Sequence, residues 1–260
     1  MIELDLREPA AREALELEYA DGALRERAIL NWHGRMVNEY QSHHVFAQLA
    51  PRMRAAGFDE SLVAECKAFA EEEKRHGALC AAVVHALGGN AVARVSGEVP
   101  TLPRYADVSP QEAVARCVLS VCCLSETVAV SLVGAERLRL KPGPLERLLT
   151  EIYADEVGHA RFGWRFVQDF HESWSPVAKQ RLSLYLRAAF KHLEAHELAH
   201  ISADATEPGD AGHQLGLCNG AQSRELFYDT VTEVIVPGLE QVGLHASEAW
   251  ERRGLIMLSG

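Results

Sequence analysis

Nowhere in the 260 residues do cysteines stand in a C-x-x-C spacing, although six cysteines are present. Cys122 and Cys123 are adjacent within an apolar run. This pattern excludes a zinc knuckle or a disulfide framework and fits reduced thiols in a cytoplasmic protein. Clustered Lys and Arg are also missing: 26 basic residues face 37 acidic ones, for a formal charge of −11. Phosphate binding needs basic clusters, so nucleic acid is excluded as the main partner. The start, MIELDLREPA, has no basic segment leading into an apolar run, and no secretory signal is expected. The Val/Ile/Thr alternation of strands is nearly absent, and low-complexity segments are missing altogether.

Helical signals fill the chain instead. They predict a short helix over about 9–20, long ones over about 22–56 and 59–88, and an irregular stretch over 89–109 containing Gly97, Pro100 and Pro103. Ser109-Pro110 and Ser175-Pro176 each read as an N-cap followed by a first-turn proline. They open helices reaching about 140 and 201, with another helix from about 144 to 173 between them. A Gly- and Asp-rich loop is expected over 202–221, then two shorter helices split at Pro237-Gly238. Short turns join 22–56 to 59–88 and 110–140 to 144–173, and only the link between these pairs is long. That is the connectivity of a ferritin-like, all-α four-helix bundle with one long crossover. The expectation is a single domain, with a core bundle over about 22–173 and additional C-terminal helices over 174–260.

One stretch, Cys117 to Ala135, approaches membrane-spanning length, with Glu126 as its only charge. A carboxylate at mid-span is costly in lipid, and no other segment resembles it. It reads as a helix buried inside a helical protein, not a membrane anchor, and what neutralises Glu126 becomes the question.

Three more carboxylates interrupt apolar stripes in the same way. Glu73 and His76 lie on a seam with Leu62, Cys66, Phe69, Cys80, Val83 and Leu87. Glu156 and His159 repeat the arrangement among Leu145, Leu149, Ile152, Gly163 and Phe166. Glu39 shares a stripe with Trp32, Met36 and Phe46. Each long helix thus carries one inward carboxylate near its middle, and two add a histidine one turn later. Passing down one helix and back up the next returns to the same level, so all six groups can meet. Four buried carboxylates balance two divalent cations, and oxygen and nitrogen ligands in a bundle core suit iron or manganese.

Through Asn38-Glu39-Tyr40, Glu72-Glu73-Lys74-Arg75-His76, Ser125-Glu126-Thr127 and Asp155-Glu156-Val157-Gly158-His159 the sequence resembles the ferritin-like di-iron carboxylate superfamily. The resemblance covers about residues 22–173. It implies two Fe ions (or a Mn/Fe pair) held by Glu39, Glu73, His76, Glu126, Glu156 and His159. It further implies a non-haem di-iron oxygenase or oxidase that activates dioxygen to oxidise a small organic substrate, fed by an external electron donor. A ferroxidase or rubrerythrin-like peroxidase, handling iron or peroxide without an organic substrate, is the alternative. Arylamine N-oxygenases of this superfamily carry a histidine where Ile152 stands here; aldehyde-deformylating enzymes share the six-ligand set.

Glu72 and Asp155 each lie four residues before a motif histidine, where a helix brings side chains together. Each is expected to accept the ring N–H of the histidine on its own helix, Glu72 from His76 and Asp155 from His159. An exposed acidic run is the competing reading for Glu72. Tyr40, Cys122, Tyr153 and His196 are candidates for a pocket wall. The C-terminal helices would roof a substrate site or form a homodimer interface.

Overall fold

The structure, a computed structural model, describes residues 2–18, 22–95 and 101–255. Gly97 and Pro100 of the expected irregular stretch, and positions 19–20 of the expected first helix, lie outside them. In order the elements are β1 (Ile2–Asp5), α1 (Arg7–Arg12), α2 (Gly22–Ala55), α3 (Glu60–Ala86), β2 (Val92–Val95), α4 (Pro110–Val118), α5 (Glu126–Arg137), α6 (Pro144–Phe170), α7 (Pro176–His200), α8 (Gly209–His213), α9 (Gly220–Thr230), α10 (Val236–Gln241) and α11 (Ala246–Glu251). π-helical turns, Leu119–Ser125 and Val231–Ile235, join α4 to α5 and α9 to α10.

The chain forms two compact units. The first contains both strands, α1 to α3, the end of α5, the first part of α6, and α8. Here α2 and α3 pack along each other. The turn between them depends on Gly57 at φ +83°, a left-handed conformation that favours glycine. Contacts run antiparallel: the Cys66 thiol faces the Phe46 carbonyl at 3.7 Å, while further along Gly77 sits against Tyr40 and Met36. Gly88, also left-handed at φ +78°, ends α3, and the Gly89 N–H reaches back to the Val84 carbonyl. Trp32, Met36, Val83, Leu87 and Leu149 share this unit's core, each fully buried. Each such large apolar side chain stabilises the fold by about 1.5–3 kcal/mol.

The second unit contains α4, the first π turn, the start of α5, the rest of α6, α7 and α9 to α11. Ser109 and Ser175 cap α4 and α7 through the N–H groups of Glu112 and Ala178, each with proline at the first turn. Leu182, Leu186, Phe190 and Leu193 form the buried side of α7. This helix packs against α4, the first π turn and α11. Among the described residues one helix, Pro110–Arg137, is long and apolar enough to cross a membrane; 56% of its apolar window is buried in the protein, and no residue from 112 to 137 is exposed.

Four expectations need correction. The first helix stops at Arg12, because Ala14 takes φ +42°. The stretch 89–109 holds a strand: β2 pairs antiparallel with β1, Ile2 opposite Val95 and Asp5 opposite Val92. Pro237-Gly238 splits nothing, since Pro237 occupies the first turn of α10 directly after the π turn, where its missing N–H is tolerated. The loop 202–221 contains α8.

Gly163 of α6 allows a close approach to the π turn in the second unit. A Cβ there would lie 2.6 Å from Cys122 Cβ and 2.8 Å from the Cys122 carbonyl carbon. Gly163→Ala must therefore displace the π turn, and thermal unfolding should show a loss of about 1–3 kcal/mol. An unchanged melting temperature would contradict this packing.

Candidate metal centre

Each unit by itself supplies one glutamate and one Glu-x-x-His pair. In the first, Glu39 comes from the middle of α2, and Glu73 and His76 come from α3. His76 is fully buried and Glu73 nearly so, at 1% exposure. His76 Nδ1 lies 3.9 Å from Glu39 Oε2 and 3.9 Å from Glu73 Oε2. In the second, Glu126 begins α5 immediately after the π turn, and Glu156 and His159 lie on α6. All three are buried. His159 Nδ1 is 3.2 Å from Glu156 Oε2 and 4.0 Å from Glu126 Oε2.

Two groups of potential ligand atoms follow, one in each unit. Glu39, Glu73 and His76 each offer an atom within 4.8 Å of the others, and so do Glu126, Glu156 and His159.

The donor set fits divalent metal. His76 Nε2 faces Asp155 Oδ2 at 3.0 Å. With the proton on that nitrogen, Nδ1 presents a lone pair towards two carboxylates. Separations of 3.9 Å are too long for hydrogen bonds, yet two metal–ligand bonds of about 2.0–2.2 Å span them. Carboxylate oxygens mixed with neutral imidazole nitrogens suit iron, manganese or zinc and disfavour calcium and magnesium.

The partner of Asp155 differs from expectation. Asp155 was expected to bond His159, four residues on; its bond goes to His76, on a different helix. Arg75 also donates to Asp155, and its Nε lies 3.4 Å from Glu151. Burial pushes the Asp155 carboxyl upwards, but His76 and Arg75 outweigh it and hold Asp155 below its ordinary range. Glu72 sits half-buried on α3. Arg75 was not among the residues expected at the centre. Its signal lay in the helix-level argument itself: if antiparallel helices bring glutamates to one level, they also bring in the residues beside them.

The candidate wall residues are spread out. Tyr40 stands on α2 against Gly77, edge-on to His44 at 5.3 Å. Tyr153 lies under the Arg137 guanidinium at 5.2 Å and touches Gly134. Cys122 is fully buried in the π turn against Gly163. His196 stacks with His192 and His200 along α7 and joins neither ligand group. Burial, with those two rings, lowers the His196 pKa to about 4, while burial raises that of neighbouring Glu197 to about 7. The π turn was not foreseen; inserted just before Glu126, it sets which way that carboxylate faces.

No family model and no curated protein matches the chain. Among solved structures it is similar to "Protein 19 with aldehyde deformylating oxidase activity" from Synechococcus. The TM-score is 0.60 and the identity 19%, over 91% of this chain and 98% of that one. The chain has that all-α, ferritin-like helical fold.

Asp155→Asn should leave the protein folded but weaken metal binding about ten- to a hundredfold, because the His76 ring loses its anionic acceptor. Calorimetric titration of the metal-free protein measures this. Equal affinities would remove Asp155 from the centre.

Proposed function

We propose that the protein is a di-iron (or Mn/Fe) oxidoreductase that activates dioxygen against a small organic substrate. The observation that carries the reading is the duplicated half-site: a glutamate plus Glu-x-x-His in each unit, each imidazole Nδ1 within 3.2–4.0 Å of two carboxylate oxygens. Glu39, Glu73 and His76 would hold one ion and Glu126, Glu156 and His159 the other. The likeness to a protein named for aldehyde-deformylating oxidase activity supports an oxidase and makes an aliphatic aldehyde the first substrate to test.

When bound, the iron pair supplies the electrons and open positions for reaction with dioxygen. The chain supplies geometry and exclusion of water. His76 keeps its proton on Nε2 because Asp155 accepts it, so Nδ1 remains a ligand. Arg75 keeps Asp155 ionised from the outer side. Leu119, Cys122, Phe162 and Phe166 surround the second half-site's helices with apolar, fully or almost fully buried surface. That surface would keep water from competing with an apolar substrate. An external donor would return electrons for each turnover.

The test is anaerobic Fe(II) loading followed by oxygen uptake. Wild type should bind close to two ions per chain, and an aldehyde should sustain oxygen consumption in the presence of a chemical reductant. Glu73→Ala and Glu156→Ala should each lower metal content strongly, because each removes a buried carboxylate ligand. Full occupancy in the double alanine variant would overturn the site. Oxygen uptake that stops once the added iron is oxidised, whatever organic compound is present, would indicate a ferroxidase instead.

A further inference from the structure

The last turns of α7 carry His192, His196 and His200 at four-residue steps. Within them His196-Glu197-Leu198-Ala199-His200 is an H-E-x-x-H sequence on one continuous helix. This spacing lets two imidazoles on one helical face reach a single metal ion. The geometry suits it: the His196 and His200 rings have centroids 4.4 Å apart. His200 Nδ1 lies 2.8 Å from the His196 carbonyl oxygen and donates its proton there. That bond fixes the tautomer and leaves Nε2 as the metal-binding nitrogen.

α7 ends at His200. The helix end is held in place: the Arg224 guanidinium donates to the carbonyls of Leu198, Ile201 and Ser202. The two imidazoles are therefore presented on a fixed backbone. His192 stacks on His196 with centroids 6.1 Å apart.

We propose that His196 and His200 form a second metal site, a two-imidazole chelate for a borderline divalent cation such as Zn2+ or Cu2+. It shares no residue with the carboxylate groups and does not depend on the function proposed for them. Among the described residues no third ligand atom gathers with the pair, so water or an exogenous ligand completes the coordination. The predominance of imidazole nitrogen selects Zn2+ and Cu2+ over Mg2+ and Ca2+, which need oxygen ligands.

Zn2+ titration of the iron-loaded, full-length protein tests this by calorimetry. Wild type should show a binding event that His196→Ala and His200→Ala each weaken roughly tenfold or more. The Glu73→Ala/Glu156→Ala protein should retain it, which separates this site from the carboxylate centre. Unchanged affinity in both histidine variants overturns the proposal. A second measurement needs no variant. Zn2+ should protect His196 and His200 of the wild type from carbethoxylation, read by peptide mass spectrometry. Equal modification with and without Zn2+ also overturns the site.

Discussion

Keeping ionised carboxylates inside an apolar interior is the constraint on which this structure turns. Burying an ion without compensation costs several kcal/mol even after the protein relaxes. The chain meets that cost in two ways. Glu112 is 5% exposed and Glu136 3% exposed, and both are matched by guanidinium: Arg116 and Arg181 on the first, Arg35 on the second. Tyr105 and Tyr185 pack on Arg116, and Trp32 on Arg35, so these ion pairs are built into ring stacks. Glu73, Glu126 and Glu156 are equally buried, and within their own units histidine rings stand beside them, His76 by Glu73 and His159 by Glu126 and Glu156. In the proposed centre a metal cation would supply what arginine supplies elsewhere.

The regular features of the fold come from this economy. Apolar seams are interrupted by a few buried carboxylates, and small residues sit where elements must approach closely. Gly77 admits α2 beside α3, and Gly163 admits the π turn beside α6. The π turns show what strict α geometry would not allow. A helix that widens over Leu119–Ser125 carries the same apolar side chains but delivers Glu126 at a shifted angle. The second widening, Val231–Ile235, lets Pro237 follow without breaking the helix.

The elements most legible in the sequence were those fixed by local chemistry. Ser109-Pro110, Ser175-Pro176 and Gly88-Gly89 mark boundaries because caps and left-handed glycines act within a few residues. The Glu-x-x-His pairs were legible because apolar periodicity exposes any polar residue that breaks it. β1 and β2 were not, since four-residue strands carry little alternation and their pairing joins the N-terminus to a position far along the chain. The π turns were missed for a related reason: hydrophobic spacing tolerates one extra residue in a segment buried on most sides. No local signal marked Ala14 as left-handed.

The partner of Asp155 failed differently, and that failure bears on how the centre is built. The helix rule that places residue i beside i+4 is correct but considers one helix alone. Asp155 immediately precedes the glutamate of one Glu-x-x-His motif and orients the histidine of the other. The two motifs are therefore not independent repeats. A change at 155 reaches His76, and a change at Arg75 reaches His76 through Asp155. Such coupling makes contributions non-additive, because removing one member alters the state of the next. It also links metal binding to folding: the ligands reach their protonation states only when the helices that carry them are docked. The buried carboxylates thus act twice, first as a cost that the folded chain must offset, then as the oxygen donors that the proposed cations would meet.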